Sequence, residues 1–136
     1  MAIDYGRKRC GIAVSDPLQI IANRLTTVSA SDIFSFLTDY LQKEKVELII
    51  IGYPVDMQNR PAEALKYINP FIKKLIKSFP EMNVELVDER FTSNIAFQTM
   101  LDAGLKKKDR RNKGLIDAIS ATIILQSWLE KAKDYT

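Results

Sequence analysis

Residues 46–52, Val-Glu-Leu-Ile-Ile-Ile-Gly, form an almost continuous apolar run closed by glycine. A strand with one wet face alternates apolar and polar residues, whereas a strand covered on both faces does not. The run therefore predicts a central strand of an α/β sheet with helices on both sides. Around it, Ala2–Tyr5 and Gly11–Ser15 read as two short strands joined by a basic hairpin, Gly6-Arg-Lys-Arg. Residues 19–28, after the Asp16-Pro17 turn, read as a third. Ser31 or Asp32 is placed to cap a helix carrying Ile33, Phe34, Phe36, Leu37, Tyr40 and Leu41 at helical spacing.

A polar loop, Tyr53 to Arg60, follows the central run. Pro61 suits the first turn of the next helix, which extends towards Phe79 and which Pro70 should kink or interrupt. Val84–Asp88 is another strand. Thr92 or Ser93 then caps a helix ending near Gly104, and a last helix runs from about Leu115 to about Ala132. Three antiparallel strands followed by alternating helices and strands predict an α/β fold with a mixed five-stranded sheet, in one domain spanning 1–136. The order is compatible with a ribonuclease H-like topology.

Several chemistries are excluded by composition. The 136 residues contain no histidine, which removes Ser-His-Asp and Cys-His catalysis and histidine-bearing zinc sites. Cys10, the single cysteine, has no disulfide partner in the chain and reads as a small strand residue, as expected in a reducing cytoplasm. No run of eighteen apolar residues exists, and the first residues read as strand rather than as a leader, so no membrane association is expected. The net charge of +3 is unevenly placed: Lys106, Lys107, Lys108, Arg110, Arg111 and Lys113 stand against Asp109 alone, +5 in eight residues, and leave −2 for the remainder.

Three carboxylates lie in apolar surroundings, where an unpaired charge is costly. Asp4 alternates with Ile3 and Tyr5 and so shares a strand face with Ala2. Glu89 follows a strand and precedes a helix cap, the position where α/β sheets bind ligands. Asp117 precedes Ala121, Ile124 and Trp128 by four, seven and eleven residues, which sets it on the apolar stripe of the last helix. Each position has a plainer reading: a strand-end aspartate closing a turn, or a carboxylate favouring a helix N-terminus. The basic run can likewise be a solvated loop. Taken together, three acids converging on a divalent cation can share the cost of burial. Oxygen-only donors favour Mg²⁺ or Mn²⁺, and two such ions suit in-line attack on phosphorus. The basic run beside Asp117 can grip a polyanion.

Four segments resemble the YqgF/RuvX family, whose members are described as Holliday-junction resolvases or pre-ribosomal RNA nucleases. Asp4-Tyr-Gly-Arg-Lys-Arg-Cys-Gly-Ile-Ala-Val-Ser-Asp16 is similar to its opening motif, and Ile51-Gly-Tyr-Pro-Val-Asp-Met57 to its G-x-P-x-x-M segment. Val87-Asp-Glu-Arg-Phe-Thr-Ser93 is similar to its D-E-R-x-[ST]-[ST] motif, and Lys113-Gly-Leu-Ile-Asp-Ala-Ile-Ser-Ala121 to its K-x-x-x-D-x-x-[AS]-A helix. The resemblance spans nearly the whole chain. It implies a ribonuclease H-like fold, metal-dependent nuclease activity with Asp4, Glu89 and Asp117 as catalytic and metal-binding residues, and preference for Glu89 over Asp88. It implies maturation of the 5′ end of small-subunit ribosomal RNA in the bacterial cytoplasm, on a pre-ribosomal particle. Arg90, Thr92 and Ser93 fall within the third motif and are candidates to order Glu89 or touch phosphate, while Arg7, Lys8 and Arg9 in the hairpin join the 106–113 run as candidate nucleic-acid contacts. Gln58-Asn-Arg-Pro61 replaces the glycine-rich turn of many members, so that loop can meet substrate differently.

Three other functions compete. A resolvase acting on branched DNA keeps the chemistry but usually needs a symmetric dimer. An actin-like ATPase also opens with Asp-x-Gly but closes two related domains around its nucleotide. A non-catalytic nucleic-acid-binding module fits the basic run but gains nothing from an aspartate aimed at phosphate.

Overall fold

The computed structural model describes residues 1–16, 22–53, 63–88 and 113–134. Five strands, β1 (Ala2–Tyr5), β2 (Arg9–Ser15), β3 (Ala22–Ser29), β4 (Leu48–Tyr53) and β5 (Asn83–Asp88), form one sheet in the order β3-β2-β1-β4-β5. β1–β2 and β2–β3 are antiparallel, while β1–β4 and β4–β5 are parallel. The helices are α1 (Ile33–Lys43), α2 (Glu63–Ser78) and α3 (Lys113–Asp134). This is the mixed five-stranded α/β sheet of the ribonuclease H-like architecture.

The apolar run of β4 is covered on both sides. Ile49 and Ile51 join Ile3, Ile12, Leu37, Phe71 and Leu75 in a core under α1 and α2, while Ile50 joins Ala2, Ala13, Ala121, Ile124 and Leu125 under α3. Register turns this into rungs across the sheet. On the α1/α2 side Ile12, Ile3, Ile51 and Leu86 are successive partners. On the α3 side the partners are Ala13, Ala2, Ile50 and Glu85, where the two alanines let the helix come close. Cys10 is buried in the α1/α2 core as a free thiol.

Three expectations need adjustment. α2 is one helix from Glu63 to Ser78 and passes through Pro70 without interruption. Pro70 is exposed, so the carbonyl one turn earlier, which loses its amide partner, can turn to water. The start of α1 is a 3₁₀ turn, Ala30–Asp32, and Asp32 at the N-cap makes no capping hydrogen bond. Its carboxylate instead accepts the Ser29 hydroxyl at 2.8 Å. α3 begins at Lys113, two residues before the expected start. The expected first residues of β3 (19–21), the remainder of the Tyr53–Arg60 loop after Tyr53, Pro61, and the helix expected between Thr92 and Gly104 lie outside the described residues. No helix among the described residues is long and apolar enough to cross a membrane.

Candidate active site

β1, β4 and β5 are parallel, so their carboxyl ends share one edge of the sheet. Asp4, Tyr53 and Asp88 mark that edge. The hairpin leaving β1 is held by Gly6 N–H donating to Arg9 O at 2.9 Å, and Ala30 N–H donates to Lys8 O at 2.9 Å. A Cβ on Gly6 would stand 2.6 Å from Arg9 O, a contact no relaxed side chain makes. Gly6→Ala is therefore expected to displace the Arg9 carbonyl and cost about 1–3 kcal/mol. Thermal melting checks this, and an unchanged transition would mean that the hairpin relaxes freely.

Alternation directs the acid at the edge. Ala2 packs under α3 and Ile3 under α1/α2, so Asp4, two residues after Ala2, faces the α3 side. It is half-buried. Its partner on β2 is Gly11, which in turn pairs with Thr27. On β4, Gly52 follows Ile51, the partner of Ile3, and pairs with Val87. Asp4 thus stands between two buried glycines, and the residues level with it on the two neighbouring strands carry no side chain of their own. Arg9, two residues before Gly11, shares this face and is half-buried, while Arg7 and Lys8 at the hairpin tip are exposed. Neither Asp4 nor Arg9 is without a partner.

α3 runs towards the same edge. Its second half lies over the amino ends of the strands. There the Gln126 side-chain oxygen accepts Ala22 N–H at 3.1 Å, at the start of β3, and Trp128 Nε1 donates to Glu85 Oε2 at 2.9 Å. Ala121 is buried in the same core as Ala2 and Ala13. Residue 117 is four residues before Ala121 and seven before Ile124, the spacing of one helix face, and lies roughly 13 Å up the axis from Gln126 at the usual rise. Of the expected stripe, Ala121 and Ile124 are buried against the sheet and the half-buried Trp128 packs beside them, together with Leu125 and Leu129.

Glu89, Arg90, Thr92, Ser93, Lys106, Lys107, Lys108, Arg110 and Arg111 lie outside the described residues. Lys113 is the first residue of α3. Among the described residues no cluster of three potential metal-binding side chains is present. Two features escaped the sequence reading. Gly11 and Gly52 flank Asp4, and only strand register reveals it. The second is that Tyr67 and Phe71 of α2 join Tyr5, itself expected near the site, in a row of aromatic rings on the α1/α2 side of the same edge. Tyr5 stacks on Phe71 with centroids 4.0 Å apart and planes 10° apart, and Tyr67 lies 6.2 Å from Tyr5. Burial, reinforced by Cys10 and Tyr67, pushes the Tyr5 phenol above its usual pKa.

The family described as RuvX, Holliday junction resolvase, matches residues 1–131. The chain belongs to this family. A Bacteroides fragilis relative is 62% identical over 130 residues, covering 96% of this chain and 94% of its own. A Bacteroides thetaiotaomicron relative is 61% identical over 133 residues, covering 98% and 96%. One from Flavobacterium johnsoniae is 55% identical over 133 residues, with the same coverage. All three carry the name "Putative pre-16S rRNA nuclease". The RuvX match includes Asp4 and its flanking glycines as well as positions 89 and 117.

Proposed function

We propose that this RuvX-family chain is a Mg²⁺- or Mn²⁺-dependent nuclease that processes the 5′ end of pre-16S ribosomal RNA, acting in the cytoplasm on a pre-ribosomal particle. The observation that carries the reading is Asp4: a half-buried carboxylate at the carboxyl edge, beside two glycines, on the side towards which the first half of α3 runs. Support for the substrate comes from relatives named for pre-16S rRNA.

Asp4, Glu89 and Asp117 would hold the metal, with oxygen donors of the kind these ions prefer. When bound, a divalent cation polarises a phosphoryl oxygen and makes water a nucleophile near neutral pH. At Gly11 and Gly52, which carry no side chain, a phosphate would approach Asp4. Arg7 and Lys8, exposed on the hairpin beside Asp4, neutralise flanking phosphates. With no histidine in the chain, protons released at the site pass to carboxylates or solvent.

The test is cleavage of single-stranded RNA by wild type and Asp117→Asn, with and without Mg²⁺, beside a four-way DNA junction. RNA is expected to be cut by wild type only with the metal, and the variant to be inactive. Cleavage of the junction alone would move the chain to the resolvase activity for which its family is described. Equal cleavage by the variant would remove Asp117 from the site.

A further inference from the structure

We propose that the α1/α2 side of the carboxyl edge is a stacking platform for an unpaired base of single-stranded RNA, with Tyr67 as its outer ring. This rests on the nuclease reading and adds the form of the substrate. Asp4 and Tyr5 are consecutive in β1 and project to opposite faces, so a chain crossing the edge with a phosphate at Asp4 carries a neighbouring base to the Tyr5 side.

The platform is built from the core outward. Phe71 is buried at 4% exposure and fixes Tyr5 against its ring face. Tyr67, on the first half of α2, tilts 43° to Tyr5 and is half-exposed. Tyr53 closes the carboxyl end of β4 and donates its hydroxyl to Asn69 Oδ1 at 2.8 Å. That bond occupies the Asn69 oxygen, and Asn69 is exposed, so the two N–H groups of its amide nitrogen are the ones left to meet the acceptors of a base edge. Arg7 and Lys8, two and three residues after Tyr5, and Lys66, next to Tyr67 in sequence, are exposed.

These features favour a single strand. Anchored rings with exposed cations close in sequence match a nucleobase on a polyanion, and unpaired bases stack on aromatic side chains where paired ones cannot. A duplex would meet the cations but keep its bases from Tyr67.

Binding is measured in EDTA, so that no cleavage contributes and a failure here is distinct from a failure of the nuclease reading. The probes are a fluorescein-labelled oligouridylate and a blunt RNA duplex of equal length. Tyr67→Ala is expected to weaken oligouridylate binding about tenfold, with duplex binding unchanged and Tyr67→Phe within about twofold of wild type. A second measurement needs no variant: an oligonucleotide carrying 2-aminopurine should lose fluorescence on binding wild type, because stacking quenches it. Wild-type-like binding by Tyr67→Ala, an equal loss on both probes, or no quenching would overturn the platform.

Discussion

Asp4→Asn is expected to lower metal-dependent RNA cleavage by about a thousandfold or more while leaving the fold in place. Residues that merely orient a metal ligand cost 10–100-fold when changed, so removing a ligand's charge exceeds that range. Asn preserves the shape of the side chain and the pairing of β1 with Gly11. Asp4 also lies outside both apolar cores, so its charge carries no packing. Two measurements separate this from the plainer reading of a strand-end aspartate that closes a turn. Melting temperature is expected to stay within a few degrees of wild type, because clustered acids at a functional site cost stability as often as they add it. The rise in melting temperature that Mg²⁺ gives the wild type, through its preference for the folded state, is expected to vanish in the variant. An asparagine variant that still cleaves and still responds to Mg²⁺ would return Asp4 to the turn.

Much of this arrangement was legible in the residues, for local reasons. The nearly continuous 46–52 run marks a strand covered on both faces because no polar residue interrupts Leu-Ile-Ile-Ile. The alternation Ala2-Ile3-Asp4-Tyr5 fixes which face the acid takes, and the stripe Ala121-Ile124 fixes which face of α3 meets the sheet. What escaped depends on partners distant in sequence. Pro70 looked like a breaker because local rules count the lost hydrogen bond and not the exposed face on which it is lost. The glycines at 11 and 52 become a feature only when register sets one on each side of Asp4. The aromatic row joins β1 to α2, and Tyr53 to Asn69, pairs that no periodicity links.

The rung Ile12–Ile3–Ile51–Leu86 predicts the largest stability difference within one chemical type. Ile51 and Leu86 are direct partners across β4 and β5 and share a face, yet Ile51 is 0% exposed and Leu86 47%. Ile51 has β1 on one side and β5 on the other, with the α1/α2 core above it. Truncation there leaves a cavity walled by backbone and by Ile3, which cannot collapse without breaking ladder hydrogen bonds. Ile51→Ala is expected to cost about 3–4 kcal/mol and to lower the melting temperature by roughly ten degrees. Leu86→Ala removes similar carbon from a position already half in water, and its cost is expected to stay below about 1 kcal/mol. Denaturant melts of the two variants read the difference directly. Equal costs would mean that β5 is as buried as β4 in solution, and the centre of the sheet would then lie further towards β5 than its strand order implies.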